Sequence, residues 1–193
     1  MNSNRKNSPA LTKGELRKGV KAVIAQIGTD ERIRAALTVA ERIESLPAFQ
    51  SVRNIMLYSS LPDELSTDEM IRRWEASHRL FLPKVVGNEI VVACYEATAL
   101  RRGKYGIMEP DNDNSIDPKV LNMIVVPGRA FDLSGRRVGR GGGYYDRFLQ
   151  PLAALSADSR PLLVGVGFRC QMFDSLADVA EPHDIKMDVV ISA

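Results

Sequence analysis

Hydrophobic positions follow two different periods along this chain. Near the amino terminus, apolar residues recur every three to four positions, which is typical of an amphipathic helix. Thr12 and Glu15 have the spacing of a capping box, so we predict a helix from there to about Ile27. The break at 28–30 then begins a second helix, which must end before Pro47 because proline blocks helix continuation.

Beyond Pro47, short apolar runs predict buried strands. The runs are Asn54–Ser59, Arg79–Pro83, Glu89–Tyr95, Asn122–Val126, Pro161–Val166 and Met187–Ser192. Two more helices are expected, one from a second capping-box pattern at Ser66–Glu69 to about Ser77 and one from about Gly143 to Ala154. Strands that alternate with such helices need crossover connections. The predicted class is therefore α/β, with three layers: a mostly parallel central sheet and helices on both of its faces.

Length and composition favour a single domain. The chain has 193 residues, of which we expect 1–10 to be a disordered tail and 11–193 to form the domain. A net charge of +2 is not that of a general polycation. We find no signal-peptide pattern and no apolar run that could span a membrane, so we expect a cytoplasmic protein without membrane contact. Cys94 and Cys170 are expected to be buried free thiols, without the spacing of a zinc site.

A glycine-rich stretch, Gly135–Asp146, follows the apolar run Asn122–Val126 and leads into a predicted helix. Ligands of open parallel sheets bind beyond the carboxyl ends of the strands, so a ligand is expected here. Glycines let backbone N–H groups approach an anion closely, and the following helix adds partial positive charge at its first turn. The glycines concerned are Gly139, Gly141, Gly142 and Gly143.

Basic side chains are concentrated around the same stretch. Arg136, Arg137 and Arg140 offer fork-shaped donors that match phosphate oxygens, and Asp146 could hold a metal that bridges those phosphates. The stretch lacks the ending of a Walker loop, and its glycines are too closely spaced for a dinucleotide fingerprint. The pattern therefore predicts a phosphate ligand without identifying it, and a glycine-rich turn with surface arginines stays the structural alternative.

Several ordered blocks resemble one known family. The residues Val125–Asp132 (VVPGRAFD) and Gly135–Leu149 (GRRVGRGGGYYDRFL) are similar to the signature of the 5-formyltetrahydrofolate cyclo-ligases, also called methenyltetrahydrofolate synthetases. Further blocks match in order: Lys13 with Arg17, Leu61–Thr67 (LPDELST), Phe81–Lys84 (FLPK), Gly106–Pro110 (GIMEP) and Pro182–Asp188 (PHDIKMD). The resemblance covers roughly Lys13 to Ile191.

The resemblance implies an enzyme that uses ATP and magnesium to convert 5-formyltetrahydrofolate into 5,10-methenyltetrahydrofolate, ADP and phosphate. The formyl oxygen attacks the γ-phosphate, which makes that oxygen a good leaving group, and a folate nitrogen then closes the ring. Such catalysis rests on positioning and charge stabilisation, without a protein nucleophile. The resemblance also implies a Rossmann-like domain of the NagB/RpiA/CoA-transferase type and a monomer that binds neither nucleic acid nor membrane.

The resemblance assigns roles to matching positions. Those expected to meet ATP are Lys13, Arg17, Arg137, Val138, Gly139, Arg140, Gly141, Gly142, Gly143, Tyr144 and Tyr145. Those expected to meet the folate are Ser59, Glu64, Tyr105, Arg140, Gly141, Gly142, Gly143 and Tyr144. Magnesium is assigned to Asp146 and Asp188, and catalytic roles fall to Lys13, Arg140 and Tyr144. Glu64 would receive hydrogen bonds from the N–H edge of the pterin ring.

Alternative interpretations stay open for some of these residues. Asp188 lies in an apolar strand, where a carboxylate needs either a metal or an arginine partner. His183 is either a general acid or a structural histidine. Some family members carry lysine where this chain has Gly142, so the positive charge of the loop rests on its arginines.

Two other functions compete with the ligase. The arginine and glycine cluster could bind RNA, with Tyr144 and Tyr145 as stacking platforms. A relative that binds nucleotides but has lost folate activity is the second alternative.

The polar segment Leu100–Pro118 is long for a connection in one domain, so we expect it to have a functional role.

Overall fold

The computed structural model describes residues 11–103, 105–111 and 114–193. Four α-helices are present in this part of the chain: α1 (Lys13–Ile24), α2 (Thr29–Glu44), α3 (Asp68–Trp74) and α4 (Tyr144–Ala153). The strands are β1 (Asn54–Met56), β2 (Arg79–Val86), β3 (Glu89–Cys94), β4 (Leu100–Arg102), β5 (Met108–Pro110), β6 (Met123–Pro127), β7 (Ala130–Asp132), β8 (Arg137–Val138), β9 (Leu162–Gly167), β10 (Met172–Phe173) and β11 (Val189–Ser192). The predicted tail, residues 1–10, lies outside the described residues.

The main sheet has six strands in the order β11-β9-β6-β1-β2-β3. Neighbouring strands are parallel except for β2 and β3, which form an antiparallel hairpin. The predicted mostly parallel sheet is confirmed. From β1 the chain builds outward to β2 and β3 on one side, and from β6 to β9 and β11 on the other. The strand order therefore reverses between β1 and β6, and their carboxyl ends flank a crevice there.

Side chains of the central strands alternate between two apolar layers. Ile55, Val125 and Val164 pack in one hydrophobic cluster with α1, α2 and α3. Their neighbours in sequence point to the opposite face and pack with α4: Met56, Ile124 and Leu163. Helices therefore cover both faces, which confirms the three-layer α/β/α arrangement and explains why the strands read as continuous apolar runs. The closer placement within the NagB/RpiA/CoA-transferase type stays a prediction.

Two small sheets were not predicted. β4 and β5 form a hairpin within the segment Leu100–Pro118, and β7 pairs with both β8 and β10 beside the glycine-rich stretch. These strands have only two or three residues each, too few for a period of two to stand out in the sequence.

The two predicted capping boxes have different outcomes. At α1, the Thr12 hydroxyl accepts from the Glu15 N–H at 3.2 Å and the Glu15 carboxylate accepts from the Thr12 N–H at 3.0 Å, as predicted. At α3 the predicted box of Ser66 and Glu69 is absent: the Ser66 hydroxyl accepts from the Asp68 N–H at 3.2 Å, and Thr67 is the N-cap residue, whose hydroxyl donates to the Tyr58 carbonyl at 2.6 Å. Both cysteines are free and half-buried. Within the described residues, we find no helix with the length and apolar character of a membrane span.

Candidate active site

A cavity of about 390 Å³ lies at the carboxyl ends of β1 and β6, where the strand order reverses. Tyr58 and Ser59, which follow β1, and Pro127 at the end of β6 form part of its wall. The glycine-rich stretch closes another side. Most predicted site residues line this cavity: Ser59, Glu64, Tyr105, Arg137, Gly139, Arg140, Gly142, Gly143, Tyr144, Tyr145 and Asp146. Apolar side chains complete the wall, among them Leu61, Val85, Ile90 and Ile107.

Glycine is required at defined positions of the loop. Gly141 and Gly143 have φ of 103° and 67°, in the left-handed region that other residues rarely adopt. Gly143 is also the residue that caps α4, so the loop turns directly into the helix amino terminus. At Gly142, a Cβ atom would lie 2.8 Å from the Tyr144 ring. A lysine at this position would displace that ring.

Helix α1 reaches the loop through Arg17. Its Nε donates to the Gly139 carbonyl at 2.8 Å, and its guanidinium lies beside Gly141. Lys13 lies one helical turn earlier, where its Nζ is 2.6 Å from Glu181 Oε2 and 2.8 Å from Asp184 Oδ2. Neither side chain is part of the cavity wall. The contacts of Lys13 and Arg17 with ATP phosphates therefore stay predictions, although α1 is placed beside the predicted phosphate loop.

Glu64 is the buried acid of the cavity, with a side chain that is 7% exposed. Its Oε2 accepts from the Leu61 N–H at 3.0 Å, and its Oε1 lies 3.2 Å from Arg140 Nη1. Burial raises the pKa of Glu64, while the Leu61 hydrogen bond and the charge of Arg140 oppose that rise. An acid held in this way can pair with a planar N–H donor edge that enters the apolar cavity.

Arg137 and Asp146 form a pair beneath the loop. The Arg137 side chain is 3% exposed; its Nη2 donates to Asp146 Oδ1 at 2.6 Å and its Nη1 to the Pro127 carbonyl at 3.3 Å. Arg137 Nε and the nearby Tyr145 hydroxyl are buried without a hydrogen-bond partner among the described residues. Burial, then the charge of Glu64, raises the pKa of Tyr145, so this phenol stays protonated as a donor. Both residues line the cavity, but these two donor atoms are themselves inaccessible to solvent.

The β4–β5 hairpin covers the other side of the cavity. Tyr105, at its tip, donates to the Tyr144 hydroxyl at 2.9 Å, and the two rings meet edge to face with centroids 6.2 Å apart. Ile107 of the same hairpin also lines the cavity. The expectation that Leu100–Pro118 has more than a connecting role is therefore consistent with the structure, since this segment supplies part of the cavity wall.

The structure corrects the assignment of Asp188 to magnesium. Asp188 immediately precedes β11, so it lies at the amino end of the sheet, whereas the cavity lies at the carboxyl end. Both of its carboxylate oxygens bind Arg160, with Oδ2 at 3.2 Å, and Oδ2 also accepts from the Leu163 N–H at 2.9 Å. The arginine alternative considered for this acid is the one observed. Val138 is also corrected in part, because its side chain is buried in the core and faces away from the cavity.

Only part of the arginine cluster is exposed, namely Arg140 and Arg147. Arg129 and Arg137 have side chains that are 6% and 3% exposed, and each is paired with a carboxylate. Tyr144 is engaged by Tyr105 and lies under the Arg147 guanidinium, 5.3 Å from the ring centroid. These contacts argue against the RNA-binding alternative, which needs accessible cations and open aromatic faces.

Comparison with known proteins decides the family. The sequence profile of the 5-formyltetrahydrofolate cyclo-ligase family matches residues 10–193. The chain belongs to this family. It is 28% identical over 203 residues to a 5-formyltetrahydrofolate cyclo-ligase of Saccharomyces cerevisiae, covering 93% of this chain and 94% of the relative. The predicted enzyme class is thereby confirmed.

Solved structures support the same cyclo-ligase assignment. The 5,10-methenyltetrahydrofolate synthetase of Aquifex aeolicus is similar with a TM-score of 0.80 and 35% identity, covering 93% of this chain and 89% of that chain. A synthetase from Mycoplasma pneumoniae, with a TM-score of 0.71 and 23% identity over 93% of this chain and 97% of that chain, supports the fold alone.

Three charged residues of this cyclo-ligase site were missed at the sequence level. Asp63 accepts hydrogen bonds from both Arg140 and Arg129, and Asp184 accepts one from Lys13. Asp63 and Asp184 lie inside blocks that resemble the family, Leu61–Thr67 and Pro182–Asp188. The predicted roles in these blocks were assigned to Glu64 and Asp188 instead. Arg129 follows the apolar strand directly, and its burial could not be inferred without knowing its partner.

Proposed function

We propose that this chain converts 5-formyltetrahydrofolate into 5,10-methenyltetrahydrofolate with consumption of ATP. The observation that carries the proposal is the placement of two different surfaces in one crevice. A glycine loop suited to phosphates and an apolar cavity with a buried acid share the wall formed by Arg140, Gly142 and Tyr144. Family membership explains why these two surfaces occur together.

The phosphate side is formed by the loop, by the start of α4 and by α1. Gly141 and Gly143 allow the backbone to turn so that N–H groups can face an anion at the helix amino terminus. Arg17 supports the loop through the Gly139 carbonyl. Lys13 lies on the same face of α1, about 6 Å away by helix geometry. We propose that Lys13 exchanges its carboxylate partners for phosphate oxygens when ATP binds.

The folate side is formed by Glu64 and the aromatic wall. Glu64 is the acid buried in this cavity, so it is the proposed acceptor for the N–H edge of the pterin ring. Tyr105 and Tyr144 meet edge to face across the cavity mouth, so one of them must shift for a ring to stack there. The apolar wall excludes water, which strengthens each charge interaction inside it.

In the proposed chemistry the formyl oxygen attacks the γ-phosphorus of ATP, the bond from that phosphorus to the bridging oxygen breaks, and ADP leaves with the electron pair. Arg140 is the cation that lies closest to the folate-side acid, with Nη1 3.2 Å from Glu64 Oε1. We assign it the stabilisation of charge on the transferred phosphoryl group, together with backbone N–H groups of the loop. The Tyr145 hydroxyl and Arg137 Nε are buried donors without a partner among the described residues, and ligand oxygens could satisfy them only if the cavity wall shifts to expose them. No protein nucleophile takes part, since the attacking atom is the formyl oxygen itself.

Asp146 and Asp184 are the carboxylates that we propose for magnesium. Asp146 Oδ1 is bound by Arg137, while among the described residues no hydrogen bond reaches its Oδ2. Asp184 lies beside Lys13, the proposed phosphate contact, so we propose it as the second candidate in place of Asp188. Carboxylate oxygens fit magnesium, which would neutralise charge on the nucleotide phosphates when it binds with ATP.

Turnover with purified protein tests the proposal. The protein is mixed with MgATP and 5-formyltetrahydrofolate, and the methenyl absorbance and ADP are followed together. Equal amounts of methenyl product and ADP are expected. ATP binding without methenyl product would favour the alternative of a nucleotide-binding relative without folate activity. A monomer, the absence of nucleic-acid partners and a cytoplasmic location stay predictions.

A further inference from the structure

Asp63 joins two arginines that come from different parts of the chain. Its Oδ1 accepts from Arg140 Nη1 at 2.7 Å, on the glycine loop. Its Oδ2 accepts from Arg129 Nη2, and its backbone carbonyl accepts from Arg129 Nη1 at 3.2 Å. Each carboxylate oxygen thus serves one arginine, and the acid itself lies in the connection that follows β1.

Arg129 provides the fixed end of this chain of contacts. Its side chain is 6% exposed, and its backbone N–H donates to the Val138 carbonyl at 2.7 Å. Its own carbonyl accepts from the buried amide of Gln171 at 3.3 Å. Because the residue lies between the end of β6 and the start of β7, two paired strands set its position. A charge held in this way moves little.

Arg140 is the exposed end of this chain of contacts. Its side chain is 39% exposed, and it belongs to a loop whose backbone is shaped by glycines. Long side chains lose considerable rotamer freedom when they are fixed, so a lone contact with Glu64 at 3.2 Å would hold Arg140 poorly. The shorter bond to Asp63 gives it a second contact. Two carboxylates on adjacent residues then set the direction of the guanidinium toward the cavity.

We propose that Asp63 is a positioning residue, which fixes Arg140 in the cavity by linking it to the buried Arg129. The carboxylate is needed in its charged form, because an amide offers one acceptor oxygen and turns its N–H₂ group toward the other arginine. Burial raises the pKa of Asp63, but the hydrogen bonds and charges of Arg140 and Arg129 outweigh burial and lower it overall. The acid therefore stays ionised at neutral pH.

This inference rests on the proposed role of Arg140 in the ligase reaction, so a double-mutant cycle is the appropriate test. We expect Asp63→Asn to lower kcat by roughly 10- to 100-fold, as a misplaced catalytic group does. In the Arg140→Ala background, the same substitution should change kcat by less than about threefold, because there is nothing left to position. Asp158→Asn, which removes an exposed acid in the turn after α4, is the matched control and should leave kcat unchanged.

A spectroscopic measurement separates this inference from the proposed function. The Arg140 guanidinium N–H signals, assigned by their loss in Arg140→Ala, should be resolved by NMR in the wild type and in Asp158→Asn. They should broaden or average in Asp63→Asn, because the guanidinium is then free to rotate. Equal losses of kcat in both backgrounds, or unchanged Arg140 signals in Asp63→Asn, would overturn the inference. A wild type without methenyl product would refute the ligase proposal, while the NMR result would still decide whether Asp63 fixes Arg140.

Discussion

Arg140→Ala separates catalysis from stability more cleanly than other changes in the cavity. The side chain is 39% exposed and bonds two acids, one of which, Asp63, keeps its partner Arg129 in the variant. Although Glu64 is buried, the Arg140 end of both ion pairs is exposed to solvent and such contacts contribute little, so we expect the free energy of unfolding to change by less than about 1 kcal/mol. Glu64 loses a nearby positive charge that opposes the rise of its pKa, so that pKa should rise further.

The expected loss of turnover is much larger. Removal of one preorganised charge donor from a transition state lowers kcat by roughly 10²- to 10³-fold, which corresponds to about 3–4 kcal/mol. The variant should therefore show near-normal thermal unfolding and a kcat lower by about two orders of magnitude or more. Methenyl absorbance at saturating MgATP and folate measures kcat, and calorimetry measures thermal unfolding.

Arg72→Ala is the matched control for this experiment. Arg72 is an exposed arginine of α3 that pairs with Glu69 one turn away, outside the cavity wall. It should show wild-type kcat. If Arg140→Ala keeps kcat within about threefold of the wild type, Arg140 does not stabilise the transition state. If its loss of kcat is accompanied by a comparable loss of stability, the effect is structural.

Three further outcomes follow from the structure. Gly135→Ala should destabilise the fold by about 3 kcal/mol or more in urea unfolding, because φ is 81° and the new Cβ would lie 2.2 Å from a backbone oxygen; Gly19→Ala, with open space, should not. Asp146→Asn should raise the magnesium concentration needed for half-maximal turnover, whereas Asp188→Asn should lower stability without that change. Burial raises the pKa of Glu64, so the protonated acid stabilises the fold below pH 4.5, and this stabilisation is lost as the pH rises through the pKa of Glu64 in the folded state. Glu64→Gln should abolish this pH dependence of the free energy of unfolding, as measured by urea unfolding at a series of acidic pH values.

The glycine loop was predictable because its whole signal is contiguous. An apolar strand, a run of glycines and a helix start follow one another, and each is encoded by neighbouring residues. The loop, β6 and α4 therefore lie where the sequence places them, within one or two residues. The short strands β7 and β8, which connect β6 to the loop, have too few residues for their period to show.

The errors arose where a role depends on contacts far along the chain. Asp188 was taken as a cavity acid from its family block, although a residue that precedes a parallel strand must lie at the amino end of the sheet. That strand direction was already implied by the predicted fold. Lys13 and Asp184 meet across 171 positions, and Asp63 and Arg129 across 66, so neither pairing has a local signal.

The capping-box pattern shows how tertiary contacts override local rules. The same spacing of hydroxyl and acid occurs at Thr12 and at Ser66, yet only the first forms a box. In the structure the helix begins one residue later than the box requires, with Thr67 as the N-cap residue. The buried Thr67 hydroxyl donates to the Tyr58 carbonyl, a tertiary contact that fixes this residue at the start of α3, and Ser66 bonds the Asp68 N–H instead.

The fate of the formyl oxygen tests the central claim most directly. The substrate is prepared with oxygen-18 in its formyl group and turned over with MgATP, and the released phosphate is analysed by mass spectrometry. If the formyl oxygen attacks the γ-phosphate in this cavity, one labelled oxygen appears in each phosphate formed. Unlabelled phosphate, with the label in water, would contradict phosphorylation of the formyl oxygen and with it the role assigned to the crevice between β1 and β6.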